Sequence, residues 1–378
     1  MTPLCIFTIA FTAVLGISCL FYTGLVLRMF HAFSHMKTGE AKFEKLPSVS
    51  VLVSARNEEA NIEKLLQTML AQDYEGDWDL WIADDRSTDN TLNILKSFAQ
   101  KHPGKINVLA IESVPDGASP KKQAISKLVE ASKGELLLLT DADCRIPKTW
   151  ISHTVKEFEP GIDFIAGHSY IELDKNSNAL LHMQAVETMS YRIAGTAGLA
   201  LHMPLTSTGN NLAYRRSFFE GVHGFENVTH IQSGDDDLLM QKAANKPSCM
   251  HYCIAPETFI ATDGKETFKG LWEQRKRWAS KTIHYTPRTL CILGGIFIFF
   301  LFLTASIFAG IANPRIWIAA GIAFIIKVIA DLLLFRRGLR VFEQEQLFKW
   351  FIPVEILHAP FTVLAVLFGV LGKFQWKN

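Results

Sequence analysis

Four long apolar stretches constrain this chain more than any other feature, because a soluble fold has no interior large enough to take them all. The first covers residues 4–27 without a charge, and at about 1.5 Å per residue such a run crosses a hydrocarbon core of about 30 Å. It reads as an N-terminal membrane helix within residues 1–30. A cleaved signal peptide fits less well, since no positive residue precedes the run and Arg28, His31 and Lys37 follow it. Three further stretches, 289–312, 316–335 and 350–371, fill the C-terminal region 289–378. They are separated by Asn313-Pro314-Arg315 and by a charged segment over 336–349. Pro353, Glu355, His358 and Pro360 interrupt the first half of the last stretch, so a re-entrant segment is the alternative to a full span there.

The chain has 378 residues, 49% of them hydrophobic, and a net charge of +1. That is too apolar for an ordinary soluble enzyme, and it lacks the basic excess of a nucleic-acid binder. The charge is concentrated between residues 37 and 288. A linker over 31–46 and a domain over 47–288, ending in an interfacial segment 268–288, account for it. Arg28, Lys37, Lys42 and Lys45 follow the first span, and Arg336, Arg337 and Arg340 follow the third. The positive-inside rule places both sets, and the central domain with them, on the cytoplasmic side of a cell inner membrane. The tail with Lys373 and Lys377 then falls outside if the last stretch spans fully. Six scattered cysteines do not make a secreted disulfide framework. Cys249 and Cys253 flank His251, but no second ligand pair stands at zinc spacing, so they read as structural thiols.

Within the central domain, residues 49–55 form a β-branched run that stops at Arg56-Asn57-Glu58-Glu59 and passes into a helical pattern over 61–70. The unit repeats. Strands are expected at 79–83, 106–111 and 135–140, and helices at 88–101 and 121–132. This alternation predicts an α/β fold, a doubly wound, mostly parallel sheet covered on both faces. In such sheets ligands bind at the carboxyl ends of the strands.

Those strand ends carry Ala55 to Glu58, Asp84-Asp85 and Asp141-Ala142-Asp143. Asp141 and Asp143 flank one small residue after a buried strand, and like charges so close call for a cation. Hard oxygen donors suit Mg²⁺ or Mn²⁺, which keep open positions for phosphate oxygens. Lys121 or Lys122, opening a helix, and Arg277 are candidates to stabilise a departing phosphate; a solvated helix start is the plain alternative for the lysines. Further on, Thr208-Gly209-Asn210-Asn211 is a small polar turn. Asp235-Asp236-Asp237 precedes Leu238-Leu239-Met240 and could be either a helix N-cap or the source of a general base. Gln274-Arg275-Lys276-Arg277-Trp278, just before the second span, taken alone reads as a basic, aromatic membrane belt.

In this order, over residues 47–288, the motifs resemble the inverting glycosyltransferase family 2, whose catalytic domain has the GT-A fold. The resemblance is carried by residues 51–58, 84–89, 141–143, 209–211, 235–237 and 274–278. It implies that Ala55, Glu58 and Asp84 or Asp85 hold the nucleotide, with Arg56 and Asp141 in the same donor-binding set. Lys121 would approach the diphosphate, and Asp143, helped by Asp141, would hold the metal of the Asp-x-Asp motif. Asp235 would be the catalytic base. Many members have Glu directly before that base where this chain has Gly234, which leaves Asp236 as a competing assignment. Gly209, Asn211 and the Gln-x-x-Arg-Trp set of Gln274, Arg277 and Trp278 would line the diphosphate and acceptor side.

The implied reaction is an in-line transfer from a nucleotide-sugar, with UDP the family's usual nucleotide, to a lipid or lipid-linked glycan in the membrane. The partners expected are therefore the donor, that acceptor and membrane lipids, with no nucleic acid. A processive polysaccharide synthase is the competing enzyme. A transporter or an inactive binding module is the competitor of another class, because Lys327, Asp331, Glu355 and His358 lie in the predicted third and fourth spans; a helix-packing ion pair is the plain reading of the same residues.

Overall fold

The computed structural model describes residues 1–372; Lys373 and Lys377, expected beyond the last span, lie outside the described residues. Helix α1 (Pro3–Phe33) is followed by β1 (Val49–Ala55), α2 (Ile62–Leu70), β2 (Trp78–Asp85), α3 (Thr91–Lys101), β3 (Ile106–Ile111), α4 (Pro120–Ala131) and β4 (Leu136–Asp141). Then come α5 (Trp150–Lys156), β5 (Phe164–Ala166), β6 (Ser169–Ile171), α6 (Ala179–Ala200), β7 (Leu212–Arg215), α7 (Arg216–Gly221), α8 (Asp237–Lys242), β8 (Met250–Tyr252) and β9 (Ile260–Thr262). The chain continues through α9 (Phe268–Ser280), α10 (Pro287–Ala312), α11 (Arg315–Val341) and α12 (Phe351–Leu371).

Two compact units divide these elements, one comprising residues 37–172 and 202–264, the other the remaining segments. The division differs from the single domain expected over 47–288, since 173–201 and 265–288 belong with the long helices. The reason lies in α6, which buries Ala185, Val186, Met189, Ile193 and Ala197. Ile193 packs so closely on α11 that a Cβ at Gly338 would lie 2.3 Å from it.

The α/β unit is built on a seven-stranded sheet of order β3-β2-β1-β4-β7-β5-β8. β3, β2, β1 and β4 are parallel neighbours, as the strand and helix alternation requires. β7 enters antiparallel beside β4. β1 is buried on both faces: Val49, Val51 and Val53 point into a core with Leu65, Leu66, Met69 and Trp150, while Leu52 is covered on the opposite side. A strand so enclosed tolerates a near-continuous apolar sequence, which is what 49–53 and 136–139 are. β6 and β9 pair as a small separate sheet.

In the helical unit, α1, α10, α11 and the segment Glu345–Leu371 are long and apolar enough to cross a membrane. α12 is one continuous helix with Pro360 inside it, so the prolines and polar residues do not break this stretch. The polar residues pack inward instead. Lys327, fully buried, lies 2.8 Å from Asp331 and pairs with Glu355 of α12, and Tyr22 of α1 donates to Asp331 at 2.9 Å. These contacts join three helices through one ammonium shared by two carboxylates, each polar group hydrogen-bonded as a low-dielectric interior demands.

Candidate active site

Strand register assembles the site. Ala55 is level with Asp84 across the β1–β2 pairing, and Ser54 with Asp141 across β1–β4, so three of the acidic or polar strand ends lie side by side. The loops after β1 and β2 are knitted together. Asn57 and Arg86, at φ 54° and 56°, turn the chain sharply out of the sheet. The Asn57 side chain accepts from Thr88 N at 2.8 Å, and Glu58 N donates to Thr91 Oγ1 at 2.8 Å. The Glu58 carboxylate accepts from Asn61 at 3.0 Å. Asp85 is held by Arg86 Nε at 2.9 Å with Arg56 at 4.0 Å. Asp84 is 2% exposed; its Oδ2 accepts from Ser87 N at 3.3 Å, and among the described residues its Oδ1 has no hydrogen-bond partner. A buried acceptor left in this condition is costly unless a ligand or water donates to it.

Lys121 is the centre of the second half of the site. Its Nζ lies 2.7 Å from Asp141 Oδ1 and 3.0 Å from Asp235 Oδ2, bringing together residues 20 and 114 positions apart in the chain. Burial works to lower the pKa of this lysine, but the two carboxylates outweigh it and hold the ammonium above its ordinary range. The neighbouring lysine does something else. Lys122 is 1% exposed and donates to the carbonyls of Val228, Ile231 and Ser233 at 3.1, 2.6 and 2.7 Å. It fixes the loop that delivers Asp235.

Gly209 lies against this cluster: a Cβ there would come within 2.7 Å of Asp235 Oδ2 and 3.3 Å of Lys121 Nζ. Gly234 has φ 84°, a conformation that side-chain-bearing residues rarely adopt, which accounts for glycine where the resemblance expects glutamate. Asp236 is the N-cap of α8, its side chain accepting from Asp237 N at 2.6 Å. Asp237 is buried and accepts from Ser207 N at 2.6 Å. Of the three adjacent carboxylates, Asp235 is thus the one aimed at Lys121.

Asn211 has a scaffolding position rather than an open one. It accepts from Trp150 Nε1 at 3.0 Å and donates to the carbonyls of His168 and Thr258 at 2.7 and 2.9 Å. With both donors and its oxygen used inside the unit, the side chain has little left for a diphosphate.

Asp141 and Asp143 are partly exposed and flank Ala142, which is buried. Two hard carboxylates at a strand end fit a divalent cation whose remaining ligands are phosphate oxygens and water. Among the described residues no group of three or more His, Cys, Asp or Glu side chains forms an all-protein cage. His251 lies 3.0 Å from Glu157, and Cys253 contacts Thr258 at 3.1 Å, so both belong to packing.

Gln274, Arg277 and Trp278 belong to α9, in the helical unit. The residue that organises this segment is Arg275, which the Gln-x-x-Arg-Trp pattern passes over. It is 3% exposed, forms a two-pronged pair with Glu187 of α6 at 2.9 and 2.8 Å, donates to Gln274 at 2.6 Å and lies 4.2 Å from the Trp278 ring centre. The signal was present in the sequence: positions 275 and 278 are three apart and share a helix face.

Comparison with known proteins follows the same lines. The family model described as "Glycosyl transferase family 21" matches residues 9–378. A beta-monoglucosyldiacylglycerol synthase of Nostoc sp. is 26% identical over 400 residues, covering 98% of this chain and 78% of the relative. A poly-beta-1,6-N-acetyl-D-glucosamine synthase of Staphylococcus epidermidis is 23% identical, covering 65% of this chain and 57% of the relative. In fold, the chain is similar to a mannosyltransferase of Pyrobaculum calidifontis solved with GDP-Man and Mn²⁺. The TM-score is 0.60 at 18% identity, covering 95% of this chain and 99% of the other. The matching model is that of family 21, whereas the motifs resemble family 2; the glycosyltransferase class is common to both.

Proposed function

The chain belongs to glycosyl transferase family 21, and from that premise we propose that it transfers a sugar from a nucleotide-sugar to a lipid acceptor in the membrane, with inversion and with a divalent metal. The observation that carries the reading is the Asp141–Lys121–Asp235 cluster at the carboxyl end of β4. The contact of Lys121, the proposed diphosphate contact, with Asp235, the proposed base, and with Asp141, one of the two proposed metal ligands, supports the reading.

In this reading the strand ends of β1 and β2 hold the nucleotide, which would be UDP, and the unpartnered Oδ1 of Asp84 accepts from an N–H of its base. Lys121 lends positive charge to the departing diphosphate and orients Asp235. Asp235 takes the proton of the acceptor hydroxyl as that oxygen attacks the anomeric carbon from the face opposite the nucleotide. When bound, Mg²⁺ or Mn²⁺ on Asp143 and Asp141 would neutralise charge developing on the diphosphate. Gln274, Arg277 and Trp278 serve the acceptor side, held by the Arg275–Glu187 pair. The basic residues after the first and third spans support a catalytic unit on the cytoplasmic face of an inner membrane. A lipid acceptor is supported by the Nostoc relative and by four candidate spans, few for walling a polysaccharide channel.

The test is to supply the purified protein, in nanodiscs, with UDP- and GDP-sugars, Mn²⁺ and diacylglycerol, then size the product and determine its anomeric configuration. A glycolipid carrying one inverted sugar, lost on chelation, is expected. A long polymer would establish the processive reading instead, and transfer that survives chelation would remove the metal from Asp141 and Asp143.

A further inference from the structure

Three of the membrane-length helices bring arginines to one level. α1 and α11 run parallel: Tyr22 donates to Asp331, the Phe33 and Phe342 rings lie 6.0 Å apart, and both contacts join residues 309 positions apart. Arg28 and Arg337 have the same separation and fall between those contacts, so they stand side by side along the two helices. α1 and α10 run antiparallel, with Phe11 and Phe302 at 4.9 Å and Gly295 directly against the Phe21 ring. Arg28 comes seven residues after Phe21 and Arg288 seven before Gly295. Seven residues return a helix to the same face within about 20°, which sets Arg28 and Arg288 opposite each other across the α1–α10 seam. Arg28 is the first charge after the apolar run over 4–27, and Arg288 the last before that of α10. Hydrocarbon gives way to headgroups at such a level.

The positive charge here is uncompensated. Arg28 and Arg288 are exposed, and among the described residues neither they nor Arg336, Arg337 and Arg340 make an ion pair. Glu343 and Glu345, just past the end of α11, pair with none of them. Arg337 is half-buried, and its Nε is enclosed without a hydrogen-bond acceptor among the described residues. An N–H shut away from water with no acceptor is costly, and like charges set face to face repel. The preference for basic residues on one side of a membrane accounts for arginines at this end of the spans. It does not require two of them to face each other with no carboxylate between, nor the N–H of a third to be enclosed. One anion at this level relieves both costs.

We propose that Arg28, Arg288 and Arg337 bind one anionic phospholipid, whose headgroup phosphate lies between Arg28 and Arg288 and supplies the acceptor that Arg337 lacks. The fork of a guanidinium matches two phosphate oxygens. Leu27 and Leu290, 46% and 37% exposed beside the arginines, offer apolar surface to the acyl chains. A zwitterionic headgroup brings its own cation and leaves the surplus charge unmatched, so the site selects for net negative lipids. The lipid is held and not consumed, and the site stands whether or not the sugar acceptor is a lipid.

The experiment titrates the full-length protein in detergent with phosphatidylglycerol or phosphatidylcholine carrying a pyrene acyl chain, read by energy transfer from tryptophan. Phosphatidylglycerol should bind at least about fivefold more tightly, and more weakly as sodium chloride rises from about 50 to 500 mM. Arg28→Gln and Arg288→Gln should each weaken it about fivefold, the factor expected per basic residue at a membrane surface. The double variant Arg28→Lys/Arg288→Lys should keep most of the affinity, and Arg315→Gln, at the opposite end of α11, all of it. Melting curves establish folding of each variant. Equal affinity for the two lipids, affinity indifferent to salt, or equal losses in Arg28→Gln and Arg315→Gln would overturn the proposal. Displacement of the lipid by millimolar inorganic phosphate would overturn it too, by showing a site for free phosphate. The lipid comparison and the salt series use the wild-type protein, so they decide even where a variant fails to fold.

Discussion

Replacing Gly209 with alanine tests the active-site geometry with a single methyl group. The backbone there is not in the left-handed region, so the substitution carries no conformational strain of its own. The added Cβ would sit 2.7 Å from Asp235 Oδ2, about 0.7 Å inside the 3.4 Å at which ordinary contact begins, and 3.3 Å from Lys121 Nζ. The Asp235 carboxylate must therefore move by most of an ångström, and its 3.0 Å pairing with Lys121 moves with it. Crowding of this kind costs about 1–3 kcal/mol, and displacing a catalytic group by about 1 Å lowers turnover by on the order of 100-fold. Gly209→Ala should thus lower kcat by about 10- to 100-fold. Nucleotide-sugar affinity should change less than kcat, since the proposed base and ribose contacts at the ends of β1 and β2 are untouched. Steady-state transfer in nanodiscs gives kcat, titration with a fluorescent UDP analogue gives affinity, and a melting curve reports folding. A folded variant with wild-type kcat would refute the assignment of Asp235 to the reacting centre.

Two other perturbations separate neighbouring residues. Asp235→Asn should abolish transfer by about 10²- to 10⁴-fold with the donor still bound, whereas Asp236→Asn should keep turnover within about threefold, because asparagine caps α8 nearly as well as aspartate; the reverse pattern in a transfer assay would assign the base to Asp236. Arg275→Met leaves the Glu187 carboxylate buried without its partner and should destabilise the helical unit by about 3–5 kcal/mol, with Arg275→Met/Glu187→Leu recovering most of the loss. Thermal unfolding in detergent checks this, and a double variant no more stable than the single one would show that the pair does more than neutralise itself.

The first four strands were legible because each is a short run rich in valine, isoleucine, leucine or tryptophan and bounded by polar residues, and helical periodicity fills the gaps between them. The short strands 164–166, 169–171, 250–252 and 260–262 were not, since three residues carry no period. Helix α6 was hidden for a different reason. It buries Gln184, Glu187 and Arg192 along with its apolar residues, so no polar face announces which side is outward. Its membership in the helical unit is decided by tertiary packing, such as Ile193 against Gly338.

The two lysines show most directly where sequence reasoning stops. Lys121 and Lys122 are adjacent, identical and equally plausible as a solvated helix start or as a phosphate contact. About 100° of rotation on α4 separates them, and that alone sends one to two carboxylates and the other to three backbone carbonyls. The loop over 228–233 has carbonyls that no strand or helix satisfies, and a buried ammonium with three donors is suited to gather them. Ser119 N adds a bond to Thr229 O at 2.7 Å, so the start of α4 holds the loop from two adjacent turns of chain. Asp235 follows that loop through Gly234, whose left-handed backbone turns the carboxylate back toward Lys121. The position of the proposed base therefore depends on Lys122 as much as on Lys121, although only Lys121 touches it.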